Sequence, residues 1–303
     1  MSYSLCAEPV RLERLVLPLF KAKALSVYLL RLDQIHPQVS GNKWFKLYHN
    51  LKYASEQGYE RVLSFGGAYS NHLHALAWAG NQMGIETVAV VRGEPEYAAN
   101  PTLTDAKNWG MQLHFVNRKT YRQRENPDFI HTLLEKYPGA YIVPEGGSNA
   151  LAVKGFEGIF RLPCWQDLPR PDFVVSACGT GGTLAGLIAA KPEAVKILGI
   201  PVLKGAEFLY RDIRTLLTEA GVVDPGGWQL DLQGHEGGYG RRTQALNAFM
   251  DSFQTATAIE LDPVYTAKVM FRLTSLIEQG KFSPGASIVA IHTGGLQGCR
   301  GFL

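Results

Sequence analysis

The stretch Ser40-Gly41-Asn42-Lys43-Trp44-Phe45-Lys46-Leu47 puts a lysine where a loop gives way to a helix. From Trp44 the apolar positions Trp44, Leu47, Tyr48 and Leu51 follow helical spacing, which predicts one buried face with Lys43 at its mouth. Unpaired backbone N–H groups at a helix start and an apolar face beside it both lower the pKa of an amine placed there. An amine lowered in this way is a nucleophile. The other reading is a solvated ammonium on a helix end, the ordinary condition of most of the chain's 30 lysines and arginines. A partner elsewhere in the chain decides between them.

Four glycine-rich turns are candidate partners: Gly66-Gly67-Ala68-Tyr69-Ser70-Asn71, Pro144-Glu145-Gly146-Gly147-Ser148-Asn149, Gly179-Thr180-Gly181-Gly182-Thr183 and His292-Thr293-Gly294-Gly295. In the third, glycines let backbone N–H groups approach an anion, hydroxyls add donors, and the apolar helix Leu184 to Ala190 behind it presents its positive end. Phosphate suits such a cup. Any one of these turns also reads simply as a tight strand-to-helix connection.

The surrounding pattern positions these turns at strand ends. Short apolar runs at residues 24 to 32, 61 to 65, 87 to 91, 111 to 116, 141 to 143, 173 to 176, 196 to 200 and 287 to 291 read as strands. Helical patterns alternate with them: one carries Leu73, Leu76, Ala77 and Gly80 on a face, one opens at Asn100-Pro101, one covers Asp128 to Lys136, and one runs from Asp262-Pro263 to Gln279 with Val269, Leu273, Leu276 and Ile277 buried. Gly58 is placed to cap the helix after Lys43. Gly221 to Gly240 is glycine-dense and predicts a loop that lines a cleft. Alternation of this kind predicts an α/β fold with parallel sheets flanked by helices, whose ligands bind at the carboxyl ends of the strands.

Composition narrows the function. The 303 residues are 46% hydrophobic and 19% charged, with a net charge of +3 and scattered basic residues, which gives no reason to expect nucleic acid. Cys6, Cys164, Cys178 and Cys299 form no CxxC pair and have no metal-ligand spacing, so free thiols in a reducing cytoplasm are expected. The apolar run Leu15 to Phe20 is broken by Pro18 and followed by Lys21 and Lys23, too short and charged for a signal or a membrane span.

Competing motifs fail on spacing. Gly179 is followed five residues later by Leu184 rather than the glycine of a dinucleotide fingerprint, and no Gly-Lys-Ser/Thr is present. Gly146 to Ala150 misses the last glycine of a nucleophile elbow, so Ser148 is not expected to be a nucleophile. His72 and His74, two apart on a helix, face different ways and do not share a metal; His74 is expected to be structural. A lysine amine with a dedicated phosphate cup and no nucleotide motif meets the requirement of pyridoxal 5'-phosphate.

Over nearly its whole length the chain resembles the fold-type II (tryptophan synthase β-like) pyridoxal-phosphate enzymes, within them the D-cysteine desulfhydrase and 1-aminocyclopropane-1-carboxylate (ACC) deaminase family. The resemblance is carried in order by Gly41-Asn42-Lys43 and the four turns above, with His72 closing the first of them. It implies that Lys43 is the Schiff-base lysine and proton shuttle, with Ser70 as an alternative base. It further implies that Asn71 pairs with the cofactor's ring hydroxyl, that Cys178, Gly179, Thr180, Gly181, Gly182 and Thr183 hold the phosphate, and that Ser70, Asn71 and His72 receive the substrate carboxylate. Tyr239 and Tyr265 match the family's two active-site tyrosines.

ACC deaminases carry a glutamate after the second tyrosine, facing the pyridine nitrogen, where this chain has Thr266; Thr293 instead matches the desulfhydrase-type members, whose threonine hydroxyl meets that nitrogen. The resemblance therefore implies α,β-elimination of a D-amino acid such as D-cysteine to pyruvate, sulfide and ammonia. ACC deaminase is the second reading and a non-catalytic pyridoxal-phosphate binder the third. His74 stands where the family often has arginine, the loop before Lys43 is short, and Ala152-Val153 replaces a glycine-containing turn. The implied architecture is a homodimer of two-domain chains, with a small α/β domain at 46–148 inserted into a large cofactor-binding domain at 1–45 and 149–303.

Overall fold

The computed structural model describes residues 8–166, 168 and 170–301; Cys6 lies outside them. Among the described residues the strands are β1 (Leu12–Leu15), β2 (Ser26–Arg31), β3 (Arg61–Gly67), β4 (Glu86–Arg92), β5 (Gln112–Val116), β6 (Ala140–Val143), β7 (Phe173–Cys178), β8 (Lys196–Pro201), β9 (Trp228–Leu230) and β10 (Ser287–His292). The helices are α1 (Pro18–Ala22), α2 (Asn42–Glu56), α3 (Asn71–Met83), α4 (Pro101–Asn108), α5 (Arg118–Tyr121), α6 (Pro127–Lys136), α7 (Ala150–Lys154), α8 (Gly182–Ala190), α9 (Leu209–Glu219), α10 (Gln244–Thr257) and α11 (Thr266–Glu278).

The strands form two sheets. One has the order β1-β2-β10-β7-β8-β9, parallel except for the antiparallel edge pair β1–β2; the other is fully parallel with the order β5-β4-β3-β6. Successive side chains on a strand point to opposite faces, so each sheet carries two apolar layers. In the larger sheet Ile288 and Ala290 of β10 join Val175 of β7 on one face, while Val289 and Ile291 join Val174 on the other. In the smaller sheet Val62, Ala89 and Val91 face α3, and Leu63, Phe65, Val88 and Val90 face the opposite side. Helices covering both faces of both sheets make this an α/β fold.

Helix boundaries follow local chemistry. Ser70 caps α3 by accepting the Leu73 N–H, and Gly84 ends it at φ +68°. Asn100 caps α4, with Pro101 at the first helical position. Gly58, at φ +72°, follows the last turn of α2. The apolar stripe predicted for α11 is buried throughout, but the helix begins at Thr266 rather than Asp262, because the Asp262 carboxylate accepts the N–H groups of Val264, Tyr265 and Thr266 and acts as its cap.

α2 starts at Asn42, two residues before Trp44, so Lys43 lies in its first turn, still at the helix start. The cause is Gly41, at φ +67°, which packs so closely on the Thr293 carbonyl that a Cβ would lie 1.9 Å from that oxygen. Two expectations need correction. Tyr48 is 41% exposed, because α2 is wedged between the two sheets and buries Phe45 on one side and Leu47 and Leu51 on the other. The segment 221–240 is not all loop, since β9 adds a short edge strand to β8 there. None of the described helices is long and apolar enough to cross a membrane.

Candidate active site

The carboxyl ends of the central strands of both sheets open onto one cavity of about 930 Å³. Lys43, Ser70, Asn71, His72, Cys178, Gly179, Thr180, Gly181, Thr183, Tyr239, Tyr265 and Thr293 line it, so the structure brings the residues singled out in the sequence to one place. Gly182, at the first position of α8, sits just behind the wall, where a Cβ would lie 2.5 Å from Ser148 Oγ and 3.0 Å from Lys46 Nζ. That is a cradle only glycine fits.

The Lys43 amine is surrounded by protein yet open to the cavity. Burial pulls its pKa from the ordinary 10.5 down to about 8, with the Asp262 carboxylate acting in the opposite sense. Its Nζ donates to Asn42 Oδ1 at 3.2 Å, and Asn42 Nδ2 in turn donates to Thr183 Oγ1 at 2.7 Å, which ties the lysine's helix to the glycine turn of α8.

Lys46, which the sequence reading did not select, is 2% exposed and donates to Ser148 Oγ at 2.8 Å; Ser148 Oγ lies 2.6 Å from Thr180 Oγ1. Burial, followed by the neighbouring Lys43 charge, holds its pKa well below the ordinary value. Spacing was the available signal: residues three apart on a helix share a face, so a catalytic lysine at position 43 brings Lys46 with it. Asp262 was also missed in this role, because its charge reaches Lys43 across a long sequence separation.

The His72 ring is not placed to donate to a carboxylate. Its Nε2 lies 2.8 Å from Ser64 Oγ, whose single proton goes to the Val143 carbonyl at 2.7 Å. Nε2 must therefore carry the ring proton, which leaves Nδ1, buried and without a partner among the described residues, as a bare acceptor facing Gly147 and the cavity. Burial, reinforced by Lys43 and Lys46, lowers the ring's pKa well below 6.5, so it is neutral. What this residue offers an anion is its backbone N–H in the first turn of α3. Asn71 Oδ1 accepts from Gln297 Nε2 at 2.9 Å. His74 Nε2 lies 3.2 Å from Asp105 Oδ2, a structural contact that Arg300 shares at 2.6 Å.

Both tyrosines keep their protons at neutral pH. Burial raises the Tyr239 pKa, and burial together with the adjacent Tyr239 raises that of Tyr265 well above 10. Tyr239 is 48% exposed, its surface opening on the cavity, and the two rings meet edge to face with centroids 6.2 Å apart. The Tyr239 loop is pinned by Lys268, whose Nζ donates to the carbonyls of His235 at 2.9 Å and Gly238 at 2.7 Å. The Tyr265 ring flanks Gly179, where a Cβ would meet Cε1 at 3.3 Å. Burial raises the Cys178 thiol to about 12, so it is a neutral wall of the site. Thr266 is 1% exposed and gives its hydroxyl proton to Asp262, whereas Thr293 faces the cavity.

This donor set fits pyridoxal phosphate. A lowered lysine amine stands near a helix start at which glycine turn, hydroxyls and a second buried lysine converge, as an aldehyde-bearing phosphate ester requires.

Comparison with known proteins agrees. A putative ACC deaminase from Pyrococcus horikoshii is 28% identical over 282 residues, covering 90% of this chain and 85% of that protein. The mitochondrial bifunctional D-cysteine desulfhydrase/ACC deaminase of Arabidopsis thaliana is 28% identical over 320 residues, covering 98% and 79%. A solved structure described as an ACC deaminase homologue superposes with a TM-score of 0.86 at 27% identity, over 98% of this chain and 92% of the other, and the fold is that of the fold-type II enzymes. The family model for pyridoxal-phosphate dependent enzymes matches residues 10–294, and the chain belongs to that family.

Proposed function

We propose that the protein eliminates a β-leaving group from a small D-amino acid, with D-cysteine giving pyruvate, sulfide and ammonia. The observation that carries this reading is the contrast between two threonines: Thr293 faces the cavity, while Thr266, where a deaminase would place its glutamate, is engaged with Asp262. A hydroxyl at the pyridine nitrogen does not force that nitrogen to be protonated, as a carboxylate would.

When bound, pyridoxal phosphate supplies an aldehyde for an amine and a conjugated ring that delocalises charge from the α-carbon. Gly179 to Thr183 with Lys46 hold its phosphate, Asn71 its ring hydroxyl and Thr293 its ring nitrogen. The N-terminus of α3, with Ser70 and the N–H groups of Asn71 and His72, holds the substrate carboxylate. Lys43, poised near neutrality, takes the proton from the α-carbon. Ser70 Oγ already accepts the Leu73 N–H at 3.3 Å, so its own proton is free to point to the substrate carboxylate. Tyr239 and Tyr265, protonated and adjacent, donate toward the departing β-group.

The test is sulfide and pyruvate release from D-cysteine, with 2-oxobutyrate release from ACC run beside it. ACC turnover without sulfide would establish the deaminase reading, which the names of the relatives support equally; no turnover across an enantiomer-resolved amino-acid panel would leave a cofactor-binding protein. Lys43→Ala is expected to abolish the visible absorbance of the purified protein, and a wild type that stays colourless with added cofactor would remove the premise.

We also propose that residues 46–148 form a small domain inserted between 1–45 and 149–303, supported by the four strands of the smaller sheet all lying between Arg61 and Val143. A homodimer is proposed from the resemblance. A cytoplasmic location is proposed with the support of Cys164, Cys178 and Cys299, which are free thiols.

A further inference from the structure

The far wall of the cavity carries a guanidinium that nothing above uses. Arg92 ends β4 in register with Gly67 of β3, and its Nη2 lies 3.5 Å from the position a Cβ on Gly67 would take. The Gly67 carbonyl accepts the Ser70 N–H at 3.0 Å, so Arg92 adjoins the turn leading into the N-terminus of α3. Its guanidinium rests on the Tyr121 ring, 5.4 Å from the centroid, while Arg124 lies 5.5 Å from the same ring.

Glu145 compensates one of these two cations only. Its Oε1 accepts the Tyr121 hydroxyl at 2.8 Å, and its Oε2 forms a 2.8 Å ion pair with Arg124 Nε whose angle does not make it a hydrogen bond. Among the described residues Arg92 has no hydrogen-bond or ion-pair partner. Its charge works across the cavity on the Tyr239 phenol, against the burial that raises that group. Arg92 is itself an exposed residue at the cavity, whose lining also includes the apolar Ile130 and Ile142. The cavity stands near the top of the range of about 300–1,000 Å³ for small-molecule pockets, leaving room beyond a cofactor and an alanine-sized substrate.

A cation oriented by an aromatic platform, left uncompensated on a cavity wall next to the substrate carboxylate site, is arranged to receive an anion. We propose that Arg92 determines specificity by binding a second anionic group, a carboxylate or sulfonate at the end of the substrate's β-substituent. This rests on the elimination reading and names the substrate class within it. In the reaction the α-proton is removed and the Cβ–S bond breaks with its electron pair leaving on sulfur. Water then replaces the nitrogen, so that substrate and water give pyruvate, ammonia and a thiol that retains its acid group.

The test compares S-(2-carboxyethyl)-D-cysteine and S-(2-sulfoethyl)-D-cysteine with the uncharged S-propyl-D-cysteine, on the holoenzyme, by calorimetric affinity and by pyruvate formation. Wild type is expected to favour at least one acidic compound by about tenfold or more, the scale of a hydrogen bond to a charged group. The arm favoured tells carboxylate from sulfonate. In Arg92→Gln that ratio is expected to fall toward one, and in Arg92→Lys to recover in part. Absence of a preference in wild type, or its survival in Arg92→Gln, overturns the proposal. Preferential binding without pyruvate from any compound would overturn the elimination reading and leave the role of Arg92 standing.

Discussion

Lys43 and Lys46 share one helix face in a buried site, where burial makes both charges costly and the Lys43 charge adds to the cost of Lys46. For Lys43 the consequence is a nucleophile available near neutral pH. Because burial depresses its pKa to about 8, the neutral fraction rises as pH climbs through that value. The rate at which apo-protein captures pyridoxal phosphate is therefore expected to increase with pH and level off above about 8, rather than continue rising toward 10.5. Asp262 opposes the depression, so Asp262→Asn is expected to move the midpoint downward; stopped-flow absorbance reads both.

Lys46 has the complementary task. Burial and the Lys43 charge make its own charge costly, and a phosphate arriving beside Ser148 and Thr180 would offset that cost. Lys46→Met is expected to weaken cofactor binding by about ten- to a hundredfold, the loss of a charge-assisted hydrogen bond, measured by equilibrium titration.

At the level of elements, the site depends on where segments touch as much as on which residues they carry. Gly41 lets the chain turn into α2 while the Thr293 carbonyl lies against it, so Gly41→Ala combines a left-handed backbone with a clash against main chain. The expected cost is about 3 kcal/mol of folding stability, read from chemical denaturation; a change within error would show that α2 and the turn after β10 are not locked together. This contact also explains what the sequence withheld. The motif Gly41-Asn42-Lys43 and the turn at Thr293 were both legible, but nothing in either signals that one packs on the other. Caps were legible where they are local, as at Ser70 and Asn100. The start of α11 was misplaced because Asp262 caps it from outside, and the exposure of Tyr48 was missed because periodicity describes a helix with one buried face, not one held between two sheets.

Across the whole molecule, alternation in the sequence disclosed the α/β class, and the glycine turns disclosed which ends of the strands matter. The two-sheet arrangement that closes the cavity was not readable from spacing, and the roles proposed for Lys46, Arg92 and Asp262 depend on residues from both sheets meeting there. A ligand bound between the sheets joins them and favours the folded chain by mass action. Cofactor at a hundred times its dissociation constant is expected to add about 2.7 kcal/mol to the unfolding free energy. Lys43→Ala is expected to forfeit much of that gain, and a denaturation midpoint indifferent to cofactor would place the binding site elsewhere.

The position of β10 carries a further consequence, for the order in which the molecule is made. Among the described residues it is the last strand in sequence, and yet it lies inside the larger sheet, between β2 and β7, with which it pairs in parallel. During synthesis the smaller sheet, contiguous in sequence, can assemble while the ribosome is still at work, whereas the larger one waits with two unsatisfied strand edges until its final piece emerges. A message truncated upstream of Ser287 therefore yields a protein with one finished half and one adhesive half, a substrate for chaperones and aggregation rather than a smaller enzyme.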